Sequence, residues 1–174
     1  PPDVSLGSGS GTHAEQTARV MESFESFLTA TSPGAVVVVG DVNSTLACAI
    51  VTAKSPSLLA HVEAGLRSRD RTMPEEINRM VTDTVSDILF APSQDAVDNL
   101  LGEGHPPDHI HLVGNVMIDS LLANLDRAKA RPALSRLGVR AHEYGLVTLH
   151  RPTNVDRPAA LNALLGAMGK VSAR

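Results

Sequence analysis

Apolar and polar positions along this chain follow two periods, and the periods alternate. Residues 12–30 place Val20, Phe24, Phe27 and Leu28 at helical spacing, with Thr12 suited to cap the start. Ser32-Pro33-Gly34 breaks the pattern. Residues 35–39 are an unbroken, largely β-branched run, which predicts a strand buried on both faces. A turn over 40–45 leads to a helix over 46–53 and a strand over 58–62. Pro74 suits the first helical position, and Ile77, Met80, Val81 and Val85 form an apolar stripe behind it. Residues 88–91 read as a further strand, and Ser93 as the cap of a helix with Val97, Leu100 and Leu101 inward. A strand over 110–113 and a long helix over 116–130 follow. The alternation predicts an α/β fold: a parallel sheet with helices on both faces. Arg131-Pro132 interrupts it. Residues 1–130 are read as one domain and 131–145 as a connection. Residues 146–174 are read as the start of a second domain, with a strand over 146–149 and a helix from about Pro158. The apolar face of that helix (Leu161, Leu164, Leu165, Met168) is expected to find little to pack against.

Composition narrows the class. Hydrophobic residues make up 43% and aromatics only 2%, so the core must be built of Val, Leu, Ile and Ala. The net charge of -4 argues against a nucleic-acid partner. Cys48 is the sole cysteine, which rules out an intrachain disulfide and suits a reducing, cytoplasmic setting. No apolar run is long enough to span a membrane, and no membrane partner is expected. The chain opens at Pro1 without a methionine and stops at Arg174 just after an apolar helix, as an interior piece of a longer protein would.

The chemistry concentrates in the loops that follow the strands, where open α/β sheets place ligand sites. Gly40-Asp41-Val42-Asn43-Ser44-Thr45 joins a strand to a helix whose free N–H groups can face an anion. An ordinary cap by Asn43 or Ser44 also explains part of it. His61-Val62-Glu63-Ala64-Gly65-Leu66-Arg67 leaves the next strand, and Met73-Pro74-Glu75-Glu76-Ile77-Asn78-Arg79 opens the next helix. Adjacent helix positions point about 100° apart, so only one of Glu75 and Glu76 faces a cleft. Asp41, Glu63 and Glu75 then converge from consecutive strand ends. Arginines at 67, 69, 71, 79 and 151 suit a phosphate or carboxylate ligand. His109 and His111 alternate across a strand and do not make a metal pair.

These motifs, with Val113-Gly114-Asn115-Val116-Met117-Ile118-Asp119 and Leu149-His150-Arg151-Pro152-Thr153-Asn154-Val155-Asp156, occur in one order. Together they closely resemble the bacterial non-hydrolysing UDP-N-acetylglucosamine 2-epimerases, nearly end to end. The resemblance implies a glycosyltransferase-B-like fold of two Rossmann-like domains with the active site between them. It implies interconversion of UDP-N-acetylglucosamine and UDP-N-acetylmannosamine for cell-surface polysaccharides, and a homodimer. By motif, Asp41, Glu63, Glu75 and His150 match the catalytic positions. The substrate side falls to Asn43, Arg67, Arg79, Asn115 and Arg151, and Arg19 aligns loosely with a regulatory-site arginine. The family's first βα unit and most of its nucleotide-binding second domain fall outside this stretch, so the isolated chain is expected to be inactive.

The implied chemistry is loss of UDP to a glycal and re-addition on the other face. It needs carboxylates on both faces of the sugar and cations at the diphosphate, with no cofactor and no metal. A hydrolysing relative, an epimerase of a related UDP-sugar and a non-catalytic sugar-nucleotide-binding fragment are the competing readings.

Overall fold

The computed structural model describes residues 2–172, which divide into two compact units, one up to Ala123 and one from Asn124. In the first, helix α1 (His13–Thr31) precedes strand β1 (Ala35–Val39), α2 (Asn43–Thr52), β2 (Leu58–Val62), α3 (Pro74–Val85) and β3 (Ile88–Ala91). Then come α4 (Gln94–Gly102), a 3-10 turn, β4 (Ile110–Leu112) and α5 (Val116–Lys129), which runs past Ala123. The four strands form one parallel sheet in the order β1-β2-β3-β4, with Val38 beside His61 and His61 beside Leu89. The α/β class and all four strands stand as expected.

Thr12 closes a full capping box with Glu15, and those bonds hold the exposed Glu15 carboxyl below its ordinary range. Two other expected caps do not form. Val42, not Asn43 or Ser44, holds the cap position of α2, and Asn43 is already its first helical residue. Ser93 occupies the cap position of α4 but makes no side-chain cap bond.

The packing clusters build on one face of the sheet. Val36, Val38 and Leu59 meet Val51, Ala49 and Cys48 of α2 and Val85 of α3, while Phe24 and Leu28 of α1 pack on α2. Leu89 and Ala91 meet Ala96 and Leu100 of α4. Strands laid down in sequence order with right-handed crossovers put their connecting helices on a common side. The expected burial of β1 on both faces therefore fails: Val37 and Val39 are 60% and 55% exposed.

Helix α3 also departs from the expectation. Its stripe of Ile77, Met80, Val81 and Val85 is only half-buried, and its buried positions are Glu76, Asn78, Thr82 and Asp83. A polar face can be buried only if its partners are supplied. Glu76 finds them in the β2–α3 loop. It accepts from the backbone N–H groups of Ser68 and Arg69 (both 2.9 Å), from the Ser68 hydroxyl (3.0 Å) and from Arg79 (2.6 Å). Burial pushes its pKa up, but these donors and the Arg79 charge outweigh that and hold it below the ordinary value. Gly65 sits in the same loop at φ 82°, and a Cβ there would meet the backbone of Ala96 and lie 2.9 Å from Leu100 Cδ1.

From Asn124 on, no described residue is buried. The second unit holds α6 (Ala133–Leu137), a helical turn α7 (Pro152–Val155) and α8 (Pro158–Ser172). The strand expected over 146–149 is not formed: those residues are irregular, with Leu146 85% exposed. A strand needs a neighbour to take its N–H and C=O groups, and the described residues offer none here. On α8, Leu161, Leu164 and Met168 are half-buried and Leu165 is exposed.

Two stability predictions follow from the loop. Gly65→Ala combines a left-handed backbone with a clash against α4 and should cost about 2–4 kcal/mol in urea unfolding; a loss under about 0.5 kcal/mol contradicts the packing. Glu76→Gln should cost about 1–3 kcal/mol at neutral pH. Because the folded pKa of Glu76 lies below the ordinary value, its contribution is full above that value and fades as pH falls through the folded pKa. The difference between native and variant unfolding free energies should therefore shrink in acid; a difference independent of pH refutes the account.

Candidate active site

Asp41 and Glu63 leave the carboxyl ends of adjacent parallel strands. The Gly40 N–H donates to the Val62 carbonyl (3.1 Å), so β1 and β2 stay paired up to the turn. Gly40 has φ 71° and Glu63 φ 75°. The left-handed conformation suits glycine but strains a glutamate, and such strain in α/β proteins gathers at functional sites. Both Glu63 and Ala64 donate their N–H groups to the Phe90 carbonyl on β3 (3.1 Å each), which holds that backbone in place. The Glu63 carboxylate lies over Gly40, with Oε2 3.5 Å from where a Cβ would be.

Helix α3 brings its first turns to the same edge. Asn78 donates to the Asp41 carbonyl (2.9 Å), and Arg79 pairs with the Asp41 carboxylate while its other arm holds Glu76. Asp41 is thus gripped by its backbone and its side chain from one helix. Of the neighbouring pair, Glu76 is buried and engaged and Glu75 is exposed. Among the described residues, the carboxylates of Glu63 and Glu75 carry no hydrogen bond or ion pair. Glu63 lies by Gly40, and Glu75 stands one helical turn before Arg79, the partner of Asp41.

Several predicted substrate contacts are already engaged within the first unit. The Asn43 amide donates to Gln16 (2.7 Å), accepts from Asn78 (3.2 Å) and lies against His13, linking α1, α2 and α3. The Arg67 side chain is 4% exposed. It pairs with Asp83 (2.8 Å) and, through two N–H groups, with Glu103, and it donates to the Leu66 carbonyl (2.7 Å). Burial works to lower its pKa, but the Glu103 and Asp83 carboxylates outweigh that and raise it, so the charge is permanent. Arg67 therefore braces the loop from inside and does not face the open edge. Arg19 donates to the Ser8 and Ser10 carbonyls (3.0 and 3.2 Å) and tethers the N-terminal segment to α1. Asn115 follows β4 and accepts from the Met117 N–H (2.9 Å) at the start of α5. His150 and Arg151 are exposed residues of the second unit, just ahead of α7.

The sequence reading passed over the centre of this arrangement. His61 and Asp83 are both fully buried and lie 2.6 Å apart. Asp83 also accepts from the Gly65 N–H (3.1 Å) and Arg67. A signal was present: His61 shares the inward face of β2 with Leu59, and an inward polar side chain requires a partner. Among the described residues no group of His, Cys, Asp and Glu is arranged to hold a metal ion. A crevice lined by Met21, Pro33, Gly34, Lys54 and Ser57 lies at the amino ends of the strands, away from these carboxylates.

Known proteins share both the sequence and the shape. The family profile described as UDP-N-acetylglucosamine 2-epimerase matches residues 1–174. The UDP-N-acetylglucosamine 2-epimerase of Methanocaldococcus jannaschii is 46% identical over 167 residues, which is 94% of this chain and 46% of the relative. The UDP-2,3-diacetamido-2,3-dideoxy-D-glucuronate 2-epimerase of Pseudomonas aeruginosa is 42% identical over 173 residues, 98% of this chain and 48% of the relative. Among solved structures, the M. jannaschii UDP-GlcNAc 2-epimerase in complex with UDP-GlcNAc and UDP superposes with a TM-score of 0.87 at 42% identity, over 98% of this chain and 48% of that one. The Rickettsia bellii UDP-N-acetylglucosamine 2-epimerase gives 0.88 at 29% identity, over 98% and 45%. The chain spans about half the length of the relatives it matches. With a family profile covering every residue, the chain belongs to the UDP-N-acetylglucosamine 2-epimerase family.

Proposed function

We propose that this chain supplies the carboxylate half of an enzyme that interconverts UDP-N-acetylglucosamine and UDP-N-acetylmannosamine. The observation that carries the reading is the meeting of Asp41 and Glu63 with Asn78 and Arg79 of α3 at the carboxyl edge of a parallel sheet. The family membership supports it.

Carbon 2 of the sugar is not next to a carbonyl, so its proton is only weakly acidic. Departure of UDP builds positive charge at carbon 1 and makes that proton removable. The products are a glycal and UDP. Protonation of carbon 2 from the opposite face and return of UDP to carbon 1 give the epimer. One carboxylate removes the proton and another delivers one on the far face. Glu63 and Glu75, free of partners among the described residues, suit proton transfer, and Asp41, clamped by Arg79, suits a fixed charge beside the developing cation. His150 and Arg151 are assigned to the departing diphosphate, with Asn115 among the sugar-nucleotide contacts. The sequence is redox-neutral and calls for no redox cofactor. We further assign the complete enzyme to the cytoplasm and to a homodimer; no described helix is long and apolar enough to cross a membrane.

A second substrate reading has a specific observation behind it. The Pseudomonas relative, named for a diacetamido-glucuronate, is 42% identical, between the 41% and 46% of two N-acetylglucosamine enzymes. Both UDP-sugars therefore belong in the assay.

The test uses a protein that joins this segment to the remaining half present in its relatives. In deuterated water, turnover should place deuterium at carbon 2, read by NMR. Asp41→Asn, Glu63→Gln and Glu75→Gln should each lower kcat by about 100-fold or more with folding intact. Near-native turnover in any one removes that residue from the set; hydrolysis to free sugar and UDP points to the hydrolysing reaction instead.

A further inference from the structure

We propose that His61 is a positioning residue for Asp41, acting through the carbonyl of Gly40. This inference rests on the assignment of Asp41 to the chemistry above. His61 lies in β2, opposite Val38 of β1, and is fully buried. Its Nε2 lies 2.9 Å from the Gly40 carbonyl oxygen. A carbonyl can only accept, so Nε2 carries a proton and donates it. On the other side, Nδ1 lies 2.6 Å from Asp83 Oδ1, while Asp83 Oδ2 accepts from the Gly65 N–H and from Arg67. The contact between Nδ1 and Asp83 fixes the orientation of the ring.

The Gly40 carbonyl belongs to the peptide that links Gly40 to Asp41. That peptide follows a left-handed residue, a conformation with little steric restraint of its own in glycine. Four groups hold the turn: the Thr45 hydroxyl on the Val39 carbonyl, the Val62 carbonyl on the Gly40 N–H, Asn78 on the Asp41 carbonyl, and His61 on the Gly40 carbonyl. Of these, only His61 reaches the turn with a strand side chain, and Asp83 of α3 fixes its ring. The same helix holds the Asp41 carboxylate through Arg79. The direction of the Asp41 side chain is thus set from β2 and α3 together.

Two substitutions separate this role from a general need for a buried histidine. Asn places its amide nitrogen near the site of Nδ1, so His61→Asn keeps the Asp83 bond and loses the Gly40 bond. Gln reaches the site of Nε2, so His61→Gln keeps the Gly40 bond and loses the Asp83 bond. In the complete protein, H61N should lower kcat by about 10- to 100-fold, the range expected of a misplacement near 1 Å. Its KM should stay within about threefold. H61Q should recover most of the loss. An H61N protein with native kcat, or an H61Q protein as impaired as H61N, overturns the proposal.

Should either variant fail to fold, the native protein decides. With 15N-labelled histidine, the Nε2 signal of His61 should be that of a protonated, hydrogen-bonded nitrogen at neutral pH; an unprotonated Nε2 overturns the proposal. Asp41→Asn serves as the control. If it retains turnover, the assignment of Asp41 has failed; if it is inactive while H61N is fully active, only the role of His61 has failed.

Discussion

Asp83 is a carboxylate with no access to solvent, and the architecture of the β2–α3 loop follows from the need to satisfy it. An unpaired buried charge is untenable, and removing one partner from such a pair is far more costly than its net contribution suggests. Asp83 meets the requirement with three partners from three kinds of structure: a side chain of β2 (His61), a backbone N–H in the loop (Gly65) and an arginine beyond it (Arg67). Each partner then acts on something further out. His61 reaches the turn before Asp41, Gly65 fixes the loop against α4, and Arg67 draws in Glu103 at the end of α4. One desolvated charge thereby ties three successive βα units to one another.

That network also explains the unequal states of the acidic side chains at the sheet edge. Glu76 is ionised and enclosed, with its donors supplied by the loop it anchors. Asp41 shares Arg79 with it, so the two carboxylates divide one guanidinium. Glu63 and Glu75 stand outside this arrangement, one on a strained backbone and the other on an exposed helical turn. A rigid scaffold carrying a few unengaged groups is what a site needs if those groups are to meet a ligand without first breaking internal bonds.

The strands were legible because their runs are short, apolar and bounded by Gly, Pro and Ser, and because helices alternate with them. Helical geometry made legible that only one of Glu75 and Glu76 could point outward; which one came from the motif match. Which faces of β1 are covered was not, since a run of valines reads alike whether one side or two are packed. The stripe on α3 misled for a related reason: hydrophobicity marks where burial is favourable, whereas Glu76, Asn78 and Asp83 are buried because partners outside the helix receive them. His61 and Asp83 are 22 residues apart, and no local pattern links them. Asn43 and Arg67, assigned to the substrate side by motif, also hold partners on other elements that no local pattern announces. The strand over 146–149 was a fair reading of its residues and lacks only a neighbour.

The valines of β1 carry a consequence for how this polypeptide behaves in concentrated solution. β1 is the end strand of the sheet, it has five residues with no charge, proline or glycine among them, and three of its side chains are open to water. Such a margin offers a row of backbone donors and acceptors beside a sticky surface, the combination that lets one molecule add its strand to another. Asp41 and Lys54 are the nearest charges along the chain after it, and neither interrupts the run. Handled alone, this segment is therefore prone to intermolecular sheet formation, a colloidal liability that its folded interior does nothing to relieve.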